Sequence, residues 1–416
     1  MIFLAIRYLL ERRRQTLLTL LGVFFGTMAY VAVSGFFLGF QGYMVQMLVD
    51  NTAQVHIQAR QDYLKAHQLD FAFFGDAYKH VFWRPAPSRL IGYLEVQNPT
   101  GWYQRLSADP RVLAYSPLMV APAIFTLGKN SISANLIGCN PAQQAKVTSI
   151  ATYMMDGSFK DIAAGGNRVI LGDELMKRLG AGVGQTVLVS VAKSKRPIPF
   201  IVTGRYQIGN RAADLQAFGE IADIQKLNGT PNRVTEIAVR LKDYTQAARL
   251  ATNWGTISPE LVESWDQQFA NILSMFQLQT ALRYTMIATV FIVAGFGIYN
   301  VLNMTVNQKR HDIAILRSLG YDTFDIVSLF FSQGLIVGAI GASLGALAGY
   351  FFCLYLQTVP FTPAMGSNSG TLHISLAFPI YLQAVLIAII AASLASVLPA
   401  RAAGKLTPIE IIRSGT

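Results

Sequence analysis

The side chains of this chain that could do chemistry are few and scattered. His56, His67, His80, His311 and His373 share no ligand spacing, and H-E-x-x-H does not occur, so nothing in the pattern would activate a metal-bound water. Cys139 and Cys353 lie far apart, which excludes a disulfide scaffold and a cysteine metal site. G-x-x-x-x-G-K-[ST] is also missing, so the chain has no nucleotide loop of its own. Gly341-Ala342-Ser343-Leu344-Gly345 matches the hydrolase elbow in letters only. That elbow is a strand-to-helix turn, whereas this copy sits inside a long uncharged helical run. It fits better as part of a small-residue face, Gly334, Gly338, Gly341, Gly345 and Gly349, at the three- and four-residue spacing that lets helices approach closely. Gly180, Gly182 and Gly184 follow a helix pattern and precede a strand pattern, the reverse of a phosphate-binding order.

The elements that carry these residues are set by where charge is missing. Charged residues make up 14% of the 416 residues and apolar ones 52%, against roughly 25% and 45–50% in a soluble domain. No formal charge occurs between Arg14 and Asp50 or from Tyr284 to Gln308, and Ile326 to Ala400 holds only His373. About 20 apolar residues cross ~30 Å of hydrocarbon. The runs therefore predict four transmembrane helices, near 17–42, 284–306, 326–356 and 377–398. The first run is about 25 residues, longer than the roughly 7–15 of a signal-peptide core, and is expected to stay as a helix. The expected architecture is an α-helical membrane domain of four transmembrane helices plus a large α/β domain inserted between helices 1 and 2. Its pieces are an interfacial helix (1–16), the first span (17–45), the inserted domain (46–282), the second span (283–306), a loop (307–325), the third span (326–356), a second loop (357–376), the fourth span (377–398) and a tail (399–416).

Basic residues flank the spans unevenly. Arg7, Arg12, Arg13 and Arg14 precede the first, Lys309, Arg310 and Arg317 sit between the second and third, and Arg401, Lys405 and Arg413 follow the fourth. This bias predicts both termini and the 307–325 loop in the cytoplasm and residues 46–282 outside. The cytoplasmic pieces carry net +5 of the total +11. Topology and anionic lipid thus explain much of the basic excess, and no nucleic-acid partner is needed. No Asp, Glu, Lys or Arg falls within the spans, which disfavours an ion-coupled carrier.

In the inserted domain, alternation predicts strands at Gln54–Gln58, Ile124–Leu127, Ala134–Ile137, Thr186–Val191, Phe200–Thr203 and Glu236–Arg240. Arg168–Val191 reads as strand, an N-cap at Asp173, a short helix, a C-cap at Gly180 and a second strand, with the hairpin Lys193–Pro199 following. Cys139 reads as a small buried residue. In the loop, NQKRHDIAILRSLG (Asn307–Gly320) predicts an amphipathic helix closed by Gly320, and Asp322 and Asp325 are placed to cap the next span. By themselves these residues suit equally a helix that relays force from a cytoplasmic partner and one that only anchors the loop. Thr407–Arg413 predicts a short capped helix.

VESWDQQFANILSMFQLQ (Val262–Gln279), NVLNMTVNQKRHDIAILRSLGYDTFDI (Asn300–Ile326), FFSQGLIVGAIGASLGALAGY and LPARAAGKLTPIEIIR together resemble the FtsX-like permease family, within it the lipoprotein-releasing (Lol-type) permeases. Arg168–Val191 is similar to the periplasmic core domain of MacB-type exporters; Arg60–Gln104 is the least familiar stretch. The resemblance implies a non-catalytic permease of an inner-membrane ABC transporter that extracts lipoproteins from the outer leaflet for transfer to the outer membrane. It implies no cofactor in this chain, with ATP and Mg in a separate ATPase subunit. The other implied partners are a second permease chain, identical or different, membrane lipids, and a periplasmic lipoprotein chaperone or an outer-membrane or periplasmic adaptor. Two other functions fit the same family: export of a glycolipid, peptide or drug, and regulation of a cell-wall hydrolase without transport. The resemblance makes Lys309–Leu319 the coupling helix, with Lys309, Arg310, Asp312, Ile313, Ile315, Leu316, Arg317 and Leu319 as its working residues. For acyl chains, Phe36, Phe37, Phe40, Met44 and Met47 on one helix and Leu273, Phe276, Leu278 and Met286 on the other would supply a soft apolar wall. Lys193–Pro199 is shorter than the hook that some Lol-type permeases use to recruit the chaperone.

Overall fold

The computed structural model describes residues 2–11, 13–60, 70–75, 84, 94–192, 196–361 and 370–405. Thr407–Arg413, most of Arg60–Gln104 and Lys193–Lys195 of the expected hairpin lie outside the described residues. The chain divides into two units, one formed by 1–44, 272–361 and 370–416, the other chiefly by Val45–Asn271.

Among the described residues, four helices are long and apolar enough to cross a membrane: Arg13–Asn51, Ala270–Gln308, Thr323–Gln357 and Phe378–Gly404. Each outruns its expected span. The first two have 39 residues each, which at ~1.5 Å per residue is roughly 58 Å, almost twice the hydrocarbon thickness. The apolar run marks only the part of a helix that lipid requires; the hydrogen-bonded ladder continues through polar residues such as Asn271, Ser274 and Gln277. The inserted domain accordingly ends at Asn271, eleven residues earlier than the charge pattern predicts. Before the four helices lies a separate amphipathic helix, Ile2–Glu11.

The glycine face of the third helix packs against two neighbours. A Cβ on Gly334 would stand 2.6 Å from that of Ser396, and one on Gly338 2.3 Å from that of Ala392, both on the fourth helix. One on Gly345 would stand 2.5 Å from the Phe24 carbonyl oxygen, and ones on Gly341 and Gly349 3.0 and 2.9 Å from the Cβ atoms of Val23 and Val31 of the first helix. Only a residue without Cβ admits such contacts.

The second unit is built on a ten-stranded mixed sheet. Its strands are β1 (Val55–Gln58), β2 (Val112–Leu127), β3 (Asn130–Cys139), β4 (Met154–Asp156), β5 (Arg168–Gly172), β6 (Thr186–Val191), β7 (Ile198–Tyr206), β8 (Ala217–Glu220), β9 (Glu236–Leu241) and β10 (Leu261–Ser264). The order is β10-β1-β9-β2-β3-β8-β5-β7-β4, with β6 bridging β2 and β7. Both faces are covered. Val169 and Leu171 join Met119, Ala121 and Phe125 in one core, while Ile170 between them joins Leu118, Tyr206 and Phe218 in the other. This is the two-sided alternation of a pleated strand. Cys139 is fully buried in the second core, and burial pushes its thiol pKa up.

The strand expected at Ile124–Leu127 is the end of a sixteen-residue β2. Its two prolines hid the rest, because proline inside a ladder costs a hydrogen bond. Here neither breaks one. Pro122 lies in the gap Met119–Pro122, where β2 has left β9 at Leu118 and meets β6 only at Ala123. Pro117 lies one residue before the pairing with β3 begins. The N-cap expected at Asp173 is Gly172; Asp173 is the first helical residue, paired with Lys177 at 2.6 Å. Gly180 closes that helix at φ +70°, and the glycines of 180–184 lead into β6 as expected. The Val189–Ile198 pairing of β6 with β7 sets the base of the expected hairpin.

β1 is held to β9 by a half-buried pair, His56 and Glu236, with the second ring nitrogen of His56 3.1 Å from the Ala53 carbonyl. Burial opposes protonation of His56. Glu236, the hydrogen bond to it, the Ala53 carbonyl and nearby Glu263 outweigh that cost, so the pKa lies above the ordinary imidazole value.

Two predictions follow from this packing. Gly338→Val should overpack the third and fourth helices by about 1–3 kcal/mol and lower the unfolding midpoint in detergent, whereas Gly22→Ala, with nothing within 4 Å of the added Cβ, should not. A raised folded-state pKa stabilises most below the unfolded value of about 6.5 and less as pH rises through the folded one. Unfolding followed by tryptophan fluorescence should therefore show stability of the second unit falling above about pH 6.5, a dependence that His56→Gln removes.

Candidate functional site

The loop between the second and third long helices folds as a helix, Arg310–Ser318, started by Lys309 and ended by Leu319. Gly320 follows at φ +99°, with its N–H donating to the Arg317 carbonyl and that of Tyr321 to the Leu316 carbonyl. This is the left-handed close that favours glycine. The next helix begins at once. Asp322 accepts from the Thr323 N–H at 2.6 Å, and Asp325 accepts from the Asp322 N–H at 3.1 Å, completing the capping box. The connection is short, closed at the end of the loop helix by Gly320 and at the start of the next helix by Asp322 and Asp325.

Its eight expected working residues face different ways. Ile313 is 1% exposed and packs with partly buried Leu316 against Val306, Ile326, Leu329 and Phe330. Arg317 turns back on the next helix, donating to the Thr323 hydroxyl at 2.8 Å and standing 3.9 Å from Asp322. Lys309 and Asp312 pair with each other at 3.0 Å. The Glu11 hydrogen bond, followed by those to Asp312, raises the Lys309 pKa. Only Arg310, Ile315 and Leu319 are exposed. Two exposed aromatics that the sequence reading passed over extend this outer surface, Tyr321 and Phe324. Leu319 and Phe324 are 72% and 76% exposed. A phenylalanine among acidic caps, just before an apolar span, was the available signal. The arrangement is a small apolar knob of Ile315 and Leu319 at the end of the loop helix, Tyr321 in the turn and Phe324 at the start of the third helix, with exposed Arg310, Ser318 and Asp322 nearby in the chain. Exposed apolar patches of this kind mark contacts with another protein or with a membrane.

The expected apolar wall is partly assembled. Phe36 lies 5.8 Å from Phe37 and stacks on Phe40 at 6.3 Å, and Phe36, Phe37, Phe40 and Met44 are all half-buried. Met47 belongs to the second unit. On the second long helix Leu273 is half-buried and Phe276 is buried within the chain. Leu278 and Met286 are open, joined by Met275 and Leu282 at three- and four-residue spacing. Met275, Leu278, Leu282 and Met286 thus form one continuous stripe. Periodicity alone would have found Met275 and Leu282.

Residues 16–255 match the family model of the MacB-like periplasmic core domain, and residues 284–408 that of the FtsX-like permease C-terminal region. The chain is similar to the lipoprotein-releasing system transmembrane protein LolC of Xylella fastidiosa, 26% identical over 326 residues that cover 73% of this chain and 78% of that protein. It is also similar to the lipoprotein-releasing system transmembrane protein LolE of Haemophilus influenzae, 26% identical over 332 residues, 75% and 80% of the two chains. Among solved structures, the periplasmic region of MacB from Actinobacillus actinomycetemcomitans covers 55% of this chain and 95% of its own, at 17% identity and a TM-score of 0.34. With one family model spanning more than half of the sequence and another most of the remainder, the chain belongs to the FtsX-like ABC transporter permeases that carry a MacB-like periplasmic core domain.

Proposed function

We propose that this chain is the membrane subunit of an ATP-driven machine that lifts lipoproteins from the outer leaflet of the inner membrane for transfer to the outer membrane. In this reading a separate ATPase docks on the apolar knob, and both termini and the 307–325 loop face the cytoplasm. Residues 45–271 work in the periplasm, and a second permease chain completes the assembly. The observation that carries the coupling role is the exposed set of Ile315 and Leu319 at the end of the loop helix, Tyr321 in the turn and Phe324 at the start of the third helix, with the loop helix braced by buried Ile313 and by Arg317. A force-bearing contact needs that combination: a sticky outer surface and a rigid mount.

The cargo assignment is supported by the lipoprotein-releasing relatives at 26% identity and by the stripe Met275, Leu278, Leu282 and Met286. Unbranched methionine and leucine conform to acyl chains of varying shape. The charge-free interior of the spans leaves no residue to couple transport to an ion gradient, so the energy comes from the docked partner.

Leu319→Asp and Phe324→Asp should each abolish copurification of the ATPase and cut permease-stimulated ATP hydrolysis at least tenfold, while the protein still inserts in the membrane. Retained docking in both variants would refute the knob. In cells, depletion of the chain should strand outer-membrane lipoproteins in the inner membrane. Normal lipoprotein sorting with altered drug or glycolipid export would instead assign it a different cargo. Thiol labelling of cysteines introduced at exposed Leu113 and Ile257 should succeed from outside the cytoplasm; labelling from the cytoplasmic side alone would reverse the topology.

A further inference from the structure

Lys309 does not face the surface on which the ATPase is proposed to dock. Its side chain is 15% exposed and points across the loop to the N-terminal helix Ile2–Glu11. There its ammonium lies 2.9 Å from Glu11 and 5.0 Å from the centre of the Tyr8 ring, while it also holds Asp312 of its own helix at 3.0 Å. One cation thus joins three elements: the end of the second long helix, the loop helix and the N-terminal helix. Beneath it, Ala5 is fully buried and, with Leu4 and Tyr8, packs on Val306 of the second long helix, Ile313 of the loop helix, Ile326, Leu329 and Phe330 of the third and Ala400 and Ala403 of the fourth. Further on, the Thr16 hydroxyl donates to the Leu9 carbonyl at 2.9 Å, tying the N-terminal helix to the first long helix.

We infer that Lys309 is a positioning residue that fastens the N-terminal helix to the loop helix, so that a push on the loop is delivered through the N-terminal helix to the cytoplasmic ends of the membrane helices. This rests on the docking role proposed above. Energetics favour a positional role over a stabilising one. Glu11 and Asp312 are about half exposed, and ion pairs of that kind add little to stability. Their value lies in direction: one ammonium shared between two carboxylates and a ring face fixes the relative placement of three elements. Without it the loop helix keeps its buried Ile313 and its caps, and can still receive the partner, but it can slip against the N-terminal helix.

The test uses the full chain with its ATPase in liposomes. Lys309→Met keeps the aliphatic stem over Tyr8. It should leave the unfolding midpoint and ATPase copurification unchanged, yet lower permease-dependent stimulation of ATP hydrolysis at least fivefold. Glu11→Lys alone should do the same, Lys309→Arg should not, and the exchanged pair Lys309→Glu with Glu11→Lys should recover at least half of the stimulation. Full stimulation in Lys309→Met overturns the inference, as does an exchanged pair that assembles without recovery. Loss of ATPase copurification in Lys309→Met also overturns it, because Lys309 would then belong to the docking surface. Failure of the docking role itself is seen separately, as ATPase binding that survives Leu319→Asp and Phe324→Asp.

Discussion

The third long helix touches its neighbours backbone to backbone, and the membrane unit depends on that contact. In lipid no hydrophobic effect drives helices together, so association relies on close packing and on polar contacts. Gly334 and Gly338 let the fourth helix approach, and Gly341, Gly345 and Gly349 admit the first. Five small positions on one helix thus order three. The second helix joins through Ala294, Ile298 and Leu302, which pack with Val23, Ala342 and Ala392. A bundle fitted this tightly has no soft layer to absorb a displacement, so movement at one end is felt along the helices.

The end of the unit that carries the loop helix follows from that rigidity. The loop helix is closed at its C-terminal end by Gly320, seated on Ile313, and followed at once by the third helix, whose start the Asp322–Asp325 box caps. What it and the turn after it leave exposed includes Arg310, His311 and Ser318 beside the apolar Ile315, Leu319 and Tyr321. What it keeps inside is charged and reciprocal: Lys309 with Glu11 and Asp312, and Arg317 with Thr323 and Asp322. An element that receives force needs an adhesive exterior and a stiff footing, and the division of side chains between the two is physically consistent with that task. The second unit meets a different demand. Its sheet is buried on both faces, so it holds its shape without support from lipid, and the His56–Glu236 pair fastens β1 to that sheet.

Much of this was legible in the residues. Three uncharged runs, the last long enough for two crossings, require four helices, because a backbone in hydrocarbon must satisfy its own hydrogen bonds. The glycine spacing announces a packing face, and Gly320, Asp322 and Asp325 announce the break and restart of helix around the loop. Long-range pairing was less legible. β8 is four residues with a glycine, recognisable only because β3 and β5 flank it. β2 runs through two prolines that are harmless only at the ladder positions they occupy.

Sequence alone therefore determined the four candidate spans and the existence of the loop helix, because each is local: charge, periodicity and caps act within a few residues. Tertiary structure decided which face of that helix is free. Lys309, Asp312, Ile313, Leu316 and Arg317 look as available as Ile315 and Leu319 in a one-dimensional reading. They differ only because the N-terminal helix and the ends of the third and fourth helices, hundreds of residues apart in the chain, converge on one side of the loop and leave the other to solvent.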